Sequence, residues 1–181
     1  MLKNDHVRNN YLEMGIAACK AGRLSDAAKM LEAGMQECDR LNLKDLGTAA
    51  ILYNLAVVYH KSGITAPLEK LLLRCLKLCR RYGGKEHPTL PLVARLLADQ
   101  YYKNSKYEQA AHFYRLALKS PSLSPADQAD CLVRLLAIEN ALSNRDRVEQ
   151  ICQDICSLKI NYFESHKAMA VGSQVIAIGA V

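Results

Sequence analysis

The chain repeats itself, and the repeat limits what it can fold into more than any other feature. Three segments, 11–31, 52–72 and 94–114, align with a small residue at Gly15, Ala56 and Ala98. A turn-former stands seven positions later at Gly22, Gly63 and Ser105, and Ala27, Leu68 and Ala110 stand twelve positions later. Three after the small residue come Ala18, Tyr59 and Tyr101. Self-similarity at a fixed period of this size marks stacked supersecondary units, each too small to bury its own apolar face. A fourth segment, 132–152, aligns with Ala137 as the small residue and Asn144 in the turn. One residue must then be deleted from that turn for Val148 to match Ala110.

Within each copy the apolar residues recur at helical spacing. Leu52, Leu55, Ala56 and Tyr59 mark a first helix, and Ala110, Phe113, Tyr114, Ala117 and Leu118 mark a second. The small residue belongs where two helices cross so closely that a larger side chain would hold them apart. Thr65 before Ala66-Pro67, Thr89 before Leu90-Pro91 and Ser124 before Pro125 are expected to cap helix starts. The expectation is an all-α stack of antiparallel helix pairs.

Composition narrows the function classes. No uncharged apolar run reaches about 18 residues, so membrane insertion is not expected. Lys3, Asp5, His6 and Arg8 occupy the start, where an export signal would be apolar. The seven cysteines, Cys19, Cys38, Cys75, Cys79, Cys131, Cys152 and Cys156, then read as reduced thiols of a cytoplasmic, reducing compartment. They lack zinc-site spacing and are expected to fill helix contacts as small apolar groups. No metal and no cofactor is expected. The net charge of +6 is concentrated in Lys70, Arg74, Lys77, Arg80, Arg81 and Lys85. Their spacing suits the solvated side of an amphipathic helix whose buried side is Leu68, Leu71, Leu72, Cys75, Leu78 and Cys79. No aromatic platform accompanies them, so nucleic acid is not expected as a partner.

The constellations Gly15…Gly22…Ala27, Ala56…Gly63 and Ala98…Ser105…Ala110 resemble the tetratricopeptide repeat. The segments 52–63 and 83–118, with their Gly-Lys-acid-His-Pro turn at 84–88, resemble the longer kinesin light chain type of that repeat. The usual unit is about 34 residues; the excess of seven or eight is close to two helical turns, so a lengthened second helix stays in phase. The resemblance implies a right-handed α-solenoid of about four helix pairs plus a C-terminal helix. The repeat domain spans 1–158, with repeats at about 8–41, 49–82, 91–122 and 130–158. Residues 159–181 would form a capping or partner-docking helix.

Such a stack has a concave side lined by the first helix of each pair. The stripe expected there runs through Leu12, Ile16 and Cys19; Tyr53, Asn54, Val57 and His60; Arg95, Asp99 and Tyr102; and Arg134, Ile138 and Ala141. A peptide or partner protein could be gripped there through Tyr53, Asn54, Val57, His60, Arg95, Asp99, Tyr102 and Arg134, the arginines meeting an acidic residue. In the family that the chain resembles, an asparagine at the place of Asn54 bonds the peptide backbone; Glu13, Leu96 and Leu135 stand at the corresponding places of the other copies. The chaperone-tail clamp of other tetratricopeptide proteins is missing, with Leu12, Ile16, Leu92 and Leu96 at its positions. The apolar ends, Leu12 and Ile16 on one side and Phe163–Val181 on the other, point to an oligomer or larger complex.

A non-catalytic scaffold or adaptor is therefore the leading reading. A peptide sensor that changes curvature on binding ranks second. An enzyme ranks last: His6, His60, His87, His112 and His166 are scattered, and no nucleophile, metal or phosphate motif accompanies them.

Overall fold

The computed structural model describes residues 2–158, all of whose regular elements are helical. In order they are α1 (Leu2–Lys20), α2 (Leu24–Arg40), α3 (Leu46–Ser62), α4 (Leu68–Leu78), α5 (Thr89–Lys103), α6 (Tyr107–Leu118) and α7 (Pro125–Ala141). A π-helical turn (Cys79–Gly83) extends α4, and a further helix, α8, covers 145–158. Two compact units divide the chain, Met1–Ser122 and Leu123–Val181, where the repeats suggest one domain over 1–158. The C-terminal helix expected over 159–181, with its Phe163–Val181 tail, lies outside the described residues.

In the first unit each helix packs on the next, and α3 also touches both α1 and α5, so the first helices of the three pairs are neighbours. The small residues sit at the tightest points. A Cβ on Gly15 would lie 2.6 Å from Leu31 Cγ, so α1 and α2 meet where only hydrogen fits. Ala56 and Ala98 at the equivalent places are fully buried, as are Ala27, Leu68 and Ala110 opposite them. The amphipathic reading of 68–81 also holds: Leu68, Leu71, Leu72, Cys75, Leu78 and Cys79 are all buried. Among the first three pairs, the second helix is long in α2, with 17 residues, and in α4 with its π turn, whereas α6 has 12.

The turns inside the pairs share one hydrogen-bond pattern. Gly22, Gly63, Ser105 and Ser143 all adopt the left-handed conformation, with φ of 75°, 73°, 58° and 58°. Each donates its amide to the carbonyl three residues back, and the next amide reaches five back, as in Ile64 to Tyr59 and Asn144 to Glu139. This pattern corrects the register expected for the fourth copy. Its turn residue is Ser143 rather than Asn144, so no deletion is needed and Val148 still matches Ala110. The small-residue place then falls on Leu136 instead of Ala137, and Arg134 moves from the place of Arg95 to that of Asn54.

Two expected caps are also absent. α5 starts at Thr89 itself and α4 after Pro67, and neither has a side-chain cap. Ser124 does cap α7, accepting from the Asp127 amide at 3.1 Å. Asp45, which the residue pattern does not single out, caps α3 by accepting from Thr48 N at 2.8 Å. The same carboxylate takes the Arg8 guanidinium at 2.5 Å, tying α1 to the start of α3.

Consecutive pairs are also joined by tyrosines. The Tyr59 hydroxyl donates to Glu32 on α2 at 2.6 Å, and the Tyr101 hydroxyl to Glu69 on α4 at 2.8 Å. Burial, with the carboxylate second, pushes each phenol from 10.0 up to about 12. A folded-state pKa above the unfolded one means that the contribution is complete below pH 10 and is lost as pH rises through about 12. In alkaline denaturation between those limits, Tyr59→Phe/Tyr101→Phe should therefore lose less stability per pH step than the wild type; parallel curves would contradict the tether. Gly15→Leu should destabilise by about 1–3 kcal/mol through overpacking against Leu31. An unchanged thermal midpoint would refute the close crossing.

Candidate functional site

The residues expected on the concave stripe sit on α1, α3, α5 and α7. On α3, Tyr53, Asn54, Val57 and His60 are all half-buried, whereas the intervening Leu52, Leu55, Ala56 and Val58 are in the core. The four therefore occupy the margin between core and solvent, where a helix can hold a side chain in place and still present it. Asn54 is oriented from its own helix: its Nδ2 donates to the Ala50 carbonyl at 2.8 Å. That bond uses one amide hydrogen, and the side chain retains an oxygen acceptor and a second N–H.

On α5, next to α3, Arg95 and Tyr102 are half-buried. The Tyr102 ring packs edge-on against Tyr107 of α6, with centroids 5.8 Å apart. Asp99 departs from the stripe: it is 7% exposed, and its carboxylate accepts from the fully buried Tyr114 hydroxyl at 2.5 Å. It therefore serves the α5–α6 contact, and the partner tyrosine on the second helix is what the repeat pattern alone leaves unseen. Leu12, Ile16 and Cys19 on α1 are half-buried, so the apolar end of the stripe is not sunk in the core.

Arg134 lies exposed on α7 in the second unit. In that unit the tyrosine place of the repeat holds Glu139, which is fully buried and accepts from Asn144 Nδ2 at 2.8 Å. Ile138 is buried there and Ala141 exposed.

The cysteines divide into three kinds, of which the half-buried Cys19 on α1 is one. Cys38, Cys75, Cys79 and Cys131 are fully buried, as small apolar packing groups should be. Cys152 and Cys156 are exposed on α8 and so do not fill a helix contact. The Cys75 Sγ lies 4.0 Å from Cys79 Sγ and 3.3 Å from the Ala49 carbonyl. The neighbouring thiol and burial together hold Cys75 well above the ordinary range, in its protonated form. Among the described residues no group of His, Cys, Asp and Glu is arranged to hold a metal, and no helix is long and apolar enough to cross a membrane.

No family's sequence pattern matches the chain, and no curated protein matches it in sequence. Solved structures do match it. It is similar to BtubC (BKLC) from P. vanneervenii with a TM-score of 0.78 at 18% identity, over 88% of this chain and 66% of that one. The chain thus spans just under two thirds of the BtubC structure. It is also similar to a Podosopora anserina putative kinesin light chain with nearly identical TPR-like repeats, with a TM-score of 0.69 at 16% identity over 89% and 78% of the two chains. A variant of that second protein matches with a TM-score of 0.59 at 14% identity, over 91% and 99%. The helix pairs, the left-handed turns and these likenesses agree: the chain has the TPR-like repeat fold, of the kind seen in kinesin light chain repeats.

Proposed function

We propose that the protein is a non-catalytic scaffold or adaptor that holds an extended or helical segment of a partner protein against the first helices of its repeats. The observation that carries this reading is the row of half-buried Tyr53, Asn54, Val57 and His60 on α3 beside Arg95 and Tyr102 on α5. Asn54, fixed by Ala50 and retaining an acceptor and a donor, matches the two backbone groups of a bound peptide. Arg95 supplies a fork-shaped cation for an acidic side chain, and Val57 and the tyrosine rings supply apolar contact. Asp99 acts here by positioning α6 through Tyr114. Arg134 now occupies the place of Asn54 in its own pair and would add a cation to that pair's first helix. The apolar Leu12 and Ile16 suit a neighbouring protein at the first repeat. Four buried cysteines fit a reducing compartment such as the cytoplasm.

The test is affinity capture from the native cell with wild-type, Asn54→Ala and Arg95→Glu proteins. Each variant should keep its far-UV circular dichroism and lose partner recovery by about tenfold, the order expected when a charged or paired hydrogen bond is removed. Equal recovery by all three would reject the first-helix surface as the binding site.

A further inference from the structure

A second feature of the first unit lies where α4, the start of α5 and the end of α6 meet. The end of α4 with its π turn, the 84–88 loop, the start of α5 and the end of α6 border an open cavity of about 520 Å³. Half of its lining is apolar: Leu76, Leu90, Pro91, Leu116 and Pro121. Arg80, Lys85 and Lys119 stand around it, against the single carboxylate of Glu86. Two arginines elsewhere in the unit do meet carboxylates: Arg74 on α4 meets Asp39 at 2.5 Å, and Arg40 meets Glu37 at 2.6 Å. Among the described residues the three cavity cations have no carboxylate within ion-pairing distance.

The loop beside the cavity is fixed by local chemistry. A Cβ on Gly83 would come within 2.3 Å of His87 Cδ2, so the histidine ring lies directly on the glycine backbone. His87 Nδ1 accepts from Thr89 N at 3.3 Å, and its carbonyl accepts from Leu90 N at 2.9 Å. These bonds fix where α5 begins, and with it the placement of Leu90 and Pro91. The first turn of α5 carries no acidic residue to offset the positive end of the helix dipole. A shallower depression, formed by Leu73, Leu76, Lys77, Arg80 and Arg81, continues from the cavity along α4, and Leu73 is 41% exposed in it. Apolar and basic groups therefore alternate over a surface several residues long.

We propose that this cavity and its extension form a second docking site, for an extended acidic segment of a partner protein that carries apolar side chains. Charge complementarity selects the acidic groups and the apolar lining selects the apolar ones. A free phosphate would leave that lining unused, a flat lipid surface does not enter a cavity between helices, and no aromatic ring lines the site to stack a base. The site shares no residue with the first-helix stripe, so either can stand without the other.

The probe is a fluorescein-labelled peptide alternating Glu and Leu with one central Pro, titrated with the full chain and read by fluorescence anisotropy. A peptide with Lys replacing Glu, phosphatidylcholine–phosphatidylserine vesicles and a single-stranded oligonucleotide serve as competitors. Saturable binding of the acidic peptide, weakened by salt and reduced roughly tenfold or more by Arg80→Glu/Lys119→Glu, is expected. Arg80→Gln/Lys119→Gln should give a smaller loss in the same direction, and it provides the reading if the charge-reversed chain fails to fold. The proposal is overturned by absence of saturable binding, by equal competition from the lysine peptide, or by displacement with vesicles or oligonucleotide. It is equally overturned if both cavity variants bind as the wild type does, or if Asn54→Ala causes the same loss, which would place the peptide on the first helices.

Discussion

Close approach of the two helices within a pair is the constraint on which the rest depends. At Gly15 the distance leaves no room for a β-carbon against Leu31, and Ala56 and Ala98 occupy the same place with nothing exposed. Close crossing turns an amphipathic hairpin into a unit with two usable sides, because the first helix buries one face and shows the other. The half-buried row on α3 follows directly. Residues on the core side of that helix are fixed by packing, those one step round are held and presented, and Asn54 is further steadied by its bond to Ala50. Preorganisation of this kind lowers the ordering cost of binding.

Fold and helix-pair boundaries were legible because both depend on spacing. The small residue, the turn-former seven later and the 3.6-residue apolar period each report on backbone geometry, and the structure places Gly22, Gly63 and Ser105 in one conformation. The register of the fourth pair was not legible, for a physical reason. Serine and asparagine both tolerate the left-handed region, so Ser143-Asn144 offered two candidates, and only the hydrogen bonds of Asn144 to Glu139 and Ser143 to Asn140 decide between them. That single step turns the helix by about 100°, enough to exchange the places of Arg95 and Asn54 as the counterpart of Arg134.

Polar contacts between elements far apart in sequence stayed hidden for another reason. Nothing near Asp99 announces that Tyr114 will satisfy it, and nothing near Arg8 announces Asp45. The tyrosine places were visible as a repeated column, but their glutamate partners, Glu32 and Glu69, do not occupy equivalent positions of their own repeats. The basic run from Lys70 to Lys85 reads from sequence as one solvated face. In the structure Arg74 is paired with Asp39, while Arg80 and Lys85 meet Lys119 around a cavity. Charge pattern along one helix cannot reveal a neighbour that arrives from a different pair.

The four left-handed turns carry a gradient along the chain. Gly22 and Gly63 adopt positive φ at no steric cost, whereas Ser105 and Ser143 hold the same geometry against a penalty of about 1–2 kcal/mol each. Glycine also gives up more backbone freedom on ordering, so the later turns start from a stiffer unfolded chain but sit in a strained fold. The two later hairpins thus exchange an entropic cost of ordering for strain at their tips, and the first two make the opposite choice.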